Sequence, residues 1–132
     1  MPREYLEGTD VQKRNSYSPA VVTQGGRTVW LAGHTTVTAE DGRDISYDFE
    51  AQVAQVFRNI DRTLQRVGGT LADMVTMTVF ILDPRLGPRF TELRRARFPD
   101  GRYPGSALIT VSNFARPGIV IEIQGIAVIG DA

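Results

Sequence analysis

Two side chains in this sequence are suited to moving protons near neutral pH, and they lie far apart along the chain: His34 and Glu122. His34 is the single histidine. Its imidazole ordinarily titrates close to neutrality, and it follows Gly33 at the end of an apolar run, where exposed functional side chains are often found. Its plainer reading is a surface or packing histidine. Glu122 stands within Ile119-Val120-Ile121-Glu122-Ile123-Gln124, where the three isoleucines share one face of a strand and Val120, Glu122 and Gln124 share the other. An ionised carboxylate in such a strand needs water, a donor or a cation, because burying it unpaired is costly or raises its pKa. It therefore lines a cleft, where it can orient or activate water, or it caps a neighbouring backbone group.

Three further side chains complete the candidate set. Ser106, in Tyr103-Pro104-Gly105-Ser106-Ala107, offers a hydroxyl to a substrate oxygen; no Gly-x-Ser-x-Gly surrounds it, so acyl-enzyme chemistry is not expected. Tyr17 can close over an unsaturated substrate, or anchor an interface by packing. Arg102, like Arg27, is a cation that could be directed into the same cleft. The run Arg85, Arg89, Arg94, Arg95, Arg97 and Arg102 is the one basic concentration; with Arg94 and Arg95 on the polar side of a helix and no interleaved aromatics, it reads as a solvated face rather than an RNA surface.

Composition narrows the chemistry further. The 132 residues are 42% hydrophobic, which fits a single domain over 1–132 with its own core. Fifteen basic and fifteen acidic side chains cancel, so no global field draws nucleic acid or an anionic membrane. The chain has no cysteine, which excludes thiolate nucleophiles and disulfides, and one histidine with scattered carboxylates sets no metal geometry. Gly25-Gly26 and Gly68-Gly69 match no phosphate-binding spacing, so no nucleotide cofactor is implied. A polar N-terminus and the absence of a membrane-length apolar run point to the cytoplasm.

The elements that must position these groups are readable from period and punctuation. Ala20 to Thr23 and Thr28 to Ala32 read as strands joined in a hairpin by Gly25-Gly26, with Thr38 to Asp44 a surface loop. Phe49, Val53, Val56, Phe57, Ile60, Leu64 and Val67 recur at helical spacing, with Asp48 and Glu50 in the first turn and Gly68-Gly69 as the exit. Thr70 to Asp73 has the spacing of a capping turn. Met74 to Leu82 alternates as a strand, Val75, Met77, Val79 and Ile81 on one side, and Thr76, Thr78, Phe80 and Leu82 on a half-apolar second side that suits packing against another subunit. A second helix is expected over about Arg89 to Phe98, through Phe90, Leu93 and Phe98, and two strands close the domain. The fold class is α+β: a mixed six-stranded sheet with two helices on one face.

With those elements in order, the sequence resembles the RidA/YjgF superfamily, of chorismate-mutase-like fold, from about Ser16 to Val128. The likeness is carried by Tyr17-Ser18-Pro19-Ala20-Val21, Val29 to His34, Phe49 to Gln52, Asn59-Ile60, Leu64, Val67 to Val75, Thr78 to Asp83, Tyr103-Pro104 and Ile121 to Ala127. The resemblance implies a homotrimer whose sheets enclose a central barrel, with small-molecule clefts between subunits. It implies hydrolysis of reactive enamines or imines such as 2-aminoacrylate to a keto acid and ammonia. In such relatives an arginine two residues after the Pro of the Tyr/Phe-Pro motif holds a substrate carboxylate, and a last-strand glutamate places water. Carried over by position, the glutamate is Glu122, the aromatic is Tyr17 and the strand-ending glycine is Gly33. Ser106 occupies the arginine position, Ala32 replaces a frequent serine, and His34 stands where glutamine is common. The chain is thus similar to a divergent branch, some of whose members act on aromatic-degradation intermediates such as 2-aminomuconate; a metabolite sensor of the same fold and an RNA-acting protein are the alternatives. Within this set His34 and Glu122 are the expected catalytic pair, and Tyr17, Gly33, Ser106 and Arg102 the expected substrate contacts.

Overall fold

A computed structural model describes residues 3–130. The strands and helices follow in the order β1 (Glu4–Tyr5), α1 (Asp10–Arg14), β2 (Val21–Val22), β3 (Arg27–His34), α2 (Phe49–Gln65), β4 (Met74–Ile81), α3 (Gly87–Arg97), β5 (Gly105–Thr110) and β6 (Ile121–Ile129). Helix α2 starts where Asp48 accepts a hydrogen bond from the Ala51 N–H, and it ends where Gly68, at φ 90°, turns the chain out of the helix. Its apolar stripe of Phe49, Val53, Val56, Phe57, Ile60 and Leu64 is buried. Val67 does not belong to that stripe; it follows the last helical turn and is exposed.

Four strands form one mixed sheet in the order β3-β6-β4-β5. Strand β6 pairs antiparallel with both β3 and β4, whereas β4 and β5 run parallel, as the α3 crossover between them requires. Ile121 and Ile123 of β6 and Met77, Val79 and Ile81 of β4 face α2 and α3 in the core, where the Phe57 and Phe90 rings stack with centroids 6.0 Å apart. The interior has one polar brace. Gln52, fully buried on α2, donates to the carbonyls of Ile45 and Gly118 at 3.0 and 2.6 Å and accepts from the Val120 N–H at 2.9 Å, tying the entrance of β6 to the helix.

The six strands divide between two sheets. β2 pairs antiparallel with β1, not with β3, so Gly25 and Gly26, at φ 73° and 77°, carry the chain from a two-stranded ribbon into the main sheet instead of closing a hairpin. A register shift between Met74 and Thr76 alters the expected inward face of β4 at its start alone, the rest of that face, Met77, Val79 and Ile81, being buried as expected. Met74 takes the core position, and Val75 is left half-buried. Helix α1 buries no residue and so carries no apolar period; its signature is the capping box in which Thr9 and Gln12 bond each other's backbone N–H groups at 3.2 and 2.9 Å.

The sheet face turned away from the helices is left open. Trp30 stands on it with 76% of its surface exposed, and Thr76, Thr78, Gln124 and Ile126 share a recess of about 320 Å³ with it. Among the described residues no helix is long and apolar enough to cross a membrane.

Candidate active site

The sheet separates the candidate residues into two groups. On the open face Glu122 projects from β6 opposite Phe80 of β4, flanked in sequence by the buried Ile121 and Ile123. Its carboxylate lies directly over Gly33 of β3: a Cβ at residue 33 would collide with the Glu122 carboxylate oxygen and come within 2.9 Å of Cδ. Gly33 is thus the space into which the acid folds, and the two expected site residues are in contact.

His34, the next residue, is not brought to the acid. A register shift between Leu31 and His34 pairs His34 with Ile123, whose side chain points into the core. The imidazole accordingly turns to the helix side, where Nδ1 lies 2.8 Å from the Ala32 carbonyl and Nε2 lies 3.0 Å from the Thr63 hydroxyl on α2. His34 and Glu122 therefore occupy opposite faces of the sheet.

The second group gathers at the far edge. Strand β5 is the outer strand, and between it, the start of α3 and the 15–17 turn lies a cavity of about 490 Å³ walled by Asn15, Tyr17, Pro88, Thr91, Ser106 and Leu108 among others. Ser16, at φ 63° and fully buried, makes the turn that sets Tyr17 against this cavity. Ser18 fastens the turn by donating to the Tyr103 carbonyl at 2.6 Å and by its N–H bond to the Pro104 carbonyl at 3.1 Å. Tyr17 and Ser106 are thus brought together, as their candidate roles require.

Arg102 is not with them. Its guanidinium lies 4.8 Å from the centre of the Tyr5 ring, in a separate shallow recess with Ala72, Phe98 and Pro99. Arg27 bonds the Val67 carbonyl, away from the cavity. The cation that does reach the cavity is Arg94, 2% exposed, whose Nη1 donates to Ser106 Oγ at 2.6 Å and whose Nη2 donates to the Asn15 carbonyl at 3.0 Å. This overturns its expected place on a solvated helix face. The signal was present in the sequence: Phe90, Arg94 and Phe98 recur at intervals of four and so share one side of the helix, the side that packs inward. Burial pushes the Arg94 guanidinium down to about 10, with the Tyr17 and Tyr103 phenols drawing it partly back, so it remains charged at neutral pH.

The rest of the basic run is occupied. Arg85 is paired with Asp83 at 2.9 Å, Arg89 with Glu50 and Glu92 at 2.5 and 3.0 Å, and Arg97 lies 5.7 Å from the Phe57 ring centre. Among the described residues no group of three or more histidines, aspartates or glutamates is placed to hold a metal ion.

The family model for Endoribonuclease L-PSP matches residues 8–129. The fold matches the crystal structure of YyfB from Yersinia pestis, a Rid-family protein of unknown function, with a TM-score of 0.85 and 25% identity, covering 98% of this chain and 100% of that one. The chain belongs to the RidA/YjgF superfamily. Within it, a RutC family protein of Pyrococcus horikoshii is 27% identical over 111 residues, 84% of this chain and 85% of the relative. RidA from an Antarctic Psychrobacter species is 30% identical with a TM-score of 0.70, covering 86% and 88% of the two chains. These matches agree with the α+β architecture. In this Rid chain Glu122 of β6 and Gly33 of β3 are in contact, and the buried cation is Arg94 of α3.

Proposed function

We propose that this Rid protein is a cytoplasmic, cofactor-free hydrolase that deaminates a small unsaturated nitrogen compound, an enamine, imine or amino-muconate-like acid, in clefts between the subunits of a homotrimer. The observation that carries this reading is the separation of the two half-sites. Glu122 and Gly33 lie towards the β3 end of the sheet, while the Tyr17 and Ser106 cavity lies at the β5 end. A ring of copies related by rotation sets the β5 edge of one beside the β3 edge of the next, which joins one half to the other and covers the apolar face around Trp30. A single copy has no complete cleft.

In that cleft Tyr17 and Ser106 orient the substrate, and Glu122 of the neighbouring copy holds a water molecule and takes one of its protons. The water oxygen bonds to the imine carbon, giving a carbinolamine. Protonation of nitrogen and cleavage of the C–N bond then release ammonia and leave a carbonyl. His34, bonded to Thr63 behind the sheet, keeps the bulge that lets Gly33 receive the carboxylate and takes no part in proton transfer. RNA binding finds little support, because the arginines of residues 85–97 are spent on carboxylates, carbonyls and rings.

The test is ammonia release from freshly generated enamine acids and amino-muconate analogues. Wild-type protein should turn at least one of them over, and Glu122→Gln should lose about 10²-fold or more in kcat with its fold intact. Saturable binding with no turnover on any of the panel would assign the same cleft to a metabolite sensor.

A further inference from the structure

The imidazole of His34 is bonded in a way that fixes where its proton sits. Nδ1 lies 2.8 Å from the Ala32 carbonyl, and a carbonyl oxygen only accepts, so Nδ1 carries the hydrogen. The neutral ring then has its lone pair at Nε2, 3.0 Å from the Thr63 hydroxyl of α2. That hydroxyl has one proton and two acceptors within reach, Nε2 and the Asn59 carbonyl at 3.1 Å. The Asn59 carbonyl is already served by the backbone of α2 one turn on, whereas Nε2 has no other partner among the described residues, so the proton goes to the ring.

The place of this ring in the sheet gives the bonding its purpose. Between the pairs Leu31 with Gly125 and His34 with Ile123, Ala32 and Gly33 of β3 together face the single residue Gln124 of β6. Such a bulge leaves its extra residue out of the ladder, and without a local hold the strand is free to slip in register. His34 supplies the hold: one nitrogen returns to the bulged backbone at Ala32, and the other ties the ring to α2. Gly33, between those two residues, is the space into which the Glu122 carboxylate folds. A clamp on one face of the sheet therefore sets the seat of the acid on the other.

We infer that Thr63 and the Nδ1–H tautomer of His34 are a positioning pair that fixes the bulge beneath Glu122. The inference rests on the reading of Glu122 as the acid that places water, and it adds the residues that aim that acid. Thr63 serves through its hydroxyl rather than its shape: Thr63→Val keeps the branched outline, leaves Nε2 without a donor and frees the ring to exchange tautomers. Glutamine at residue 34 can stand in for the ring, because an amide also sets a donor for the Ala32 carbonyl beside an acceptor for the Thr63 proton, and alanine offers neither. The site thus needs a donor and an acceptor from residue 34, not an ionisable group.

The chain has a single histidine, so long-range proton–nitrogen correlation spectra contain one imidazole and read its tautomer directly. At about pH 9, above the ordinary imidazole range, wild-type protein should show a protonated Nδ1 and a bare Nε2, and Thr63→Val an average of the two tautomers. In ammonia release, His34→Ala and Thr63→Val should each lose about tenfold or more in kcat with KM changed less than about threefold, while His34→Gln stays within about threefold of wild type in both. A readout free of turnover is the carboxyl-carbon resonance of Glu122, identified by its absence in Glu122→Gln. It should move in His34→Ala and Thr63→Val, and much less in His34→Gln. If His34→Ala does not fold, Thr63→Val and the spectra decide. An Nε2–H tautomer in wild type, an unmoved Glu122 resonance in Thr63→Val, or a His34→Gln as impaired as His34→Ala overturns the inference. The outcome is separable from the deaminase reading. The expected tautomer and Glu122 displacements without ammonia release sustain the pair and remove the enzyme, whereas ammonia release that withstands Thr63→Val unchanged does the reverse.

Discussion

Gly33 and Glu122 show how the chemistry of one residue is set by what its neighbour lacks. The carboxylate occupies the space that any side chain at 33 would need, so Gly33→Ala should leave the domain folded yet drive the acid from its position. A displacement of that size costs about 10²-fold in kcat when the displaced group places the reacting water. Kinetics of Gly33→Ala beside Glu122→Gln check this; wild-type kcat in the alanine variant would mean that the acid's exact seat is immaterial. The residue scale is also where the sequence is hardest to read. Glu122 is legible because a charge interrupts an alternating apolar strand. The face taken by His34 is not, since it depends on a bulge between Leu31 and His34 that no local pattern announces. Arg94 hides among arginines, and its partners Asn15 and Ser106 come from elements remote in the chain.

The elements follow the same logic. Helix α2 is legible end to end because an apolar stripe, an acidic cap and a glycine exit all agree. Helix α1 and strand β1 bury little, so no hydrophobic period marks them, and β2, legible as a short apolar run, pairs with β1 from a segment distant in sequence. The 38–44 loop is held to α2 by Glu40, which bonds Gln55 at 2.8 Å and Arg62 through both carboxylate oxygens, with Arg58 3.8 Å away. Bonding to Arg62 and Gln55 draws the Glu40 carboxyl down from 4.5 to about 2. A carboxyl whose folded pKa lies below its unfolded one adds stability at neutral pH and forfeits it as the pH falls from about 4.5 through about 2. Glu40→Gln should therefore unfold at lower urea than wild type at neutral pH, and the two should converge near pH 2. Denaturation midpoints at several pH values measure this, and since the pair is open to solvent, salt should shrink the gap.

At the scale of the whole molecule the open sheet face governs behaviour. Threonines, Ile126 and the exposed Trp30 form a surface too apolar to stay bare and too polar for a core, which is why alternation in residues 74–82 suggests a second copy, whereas the strand order that the proposed ring uses is not written in any local pattern. On the proposed trimer, Trp30→Glu should yield a folded monomer in sedimentation velocity and, because each proposed cleft draws on two copies, abolish turnover although Trp30 lines a different recess from Tyr17 and Ser106. A trimeric, fully active Trp30→Glu would place the interface elsewhere. The same side chain also gives the protein an optical gauge. It is the only indole in the chain, so its emission colour reports the wetness of that one surface, and diluting the unlabelled protein should redden the fluorescence at the concentration where the proposed ring comes apart.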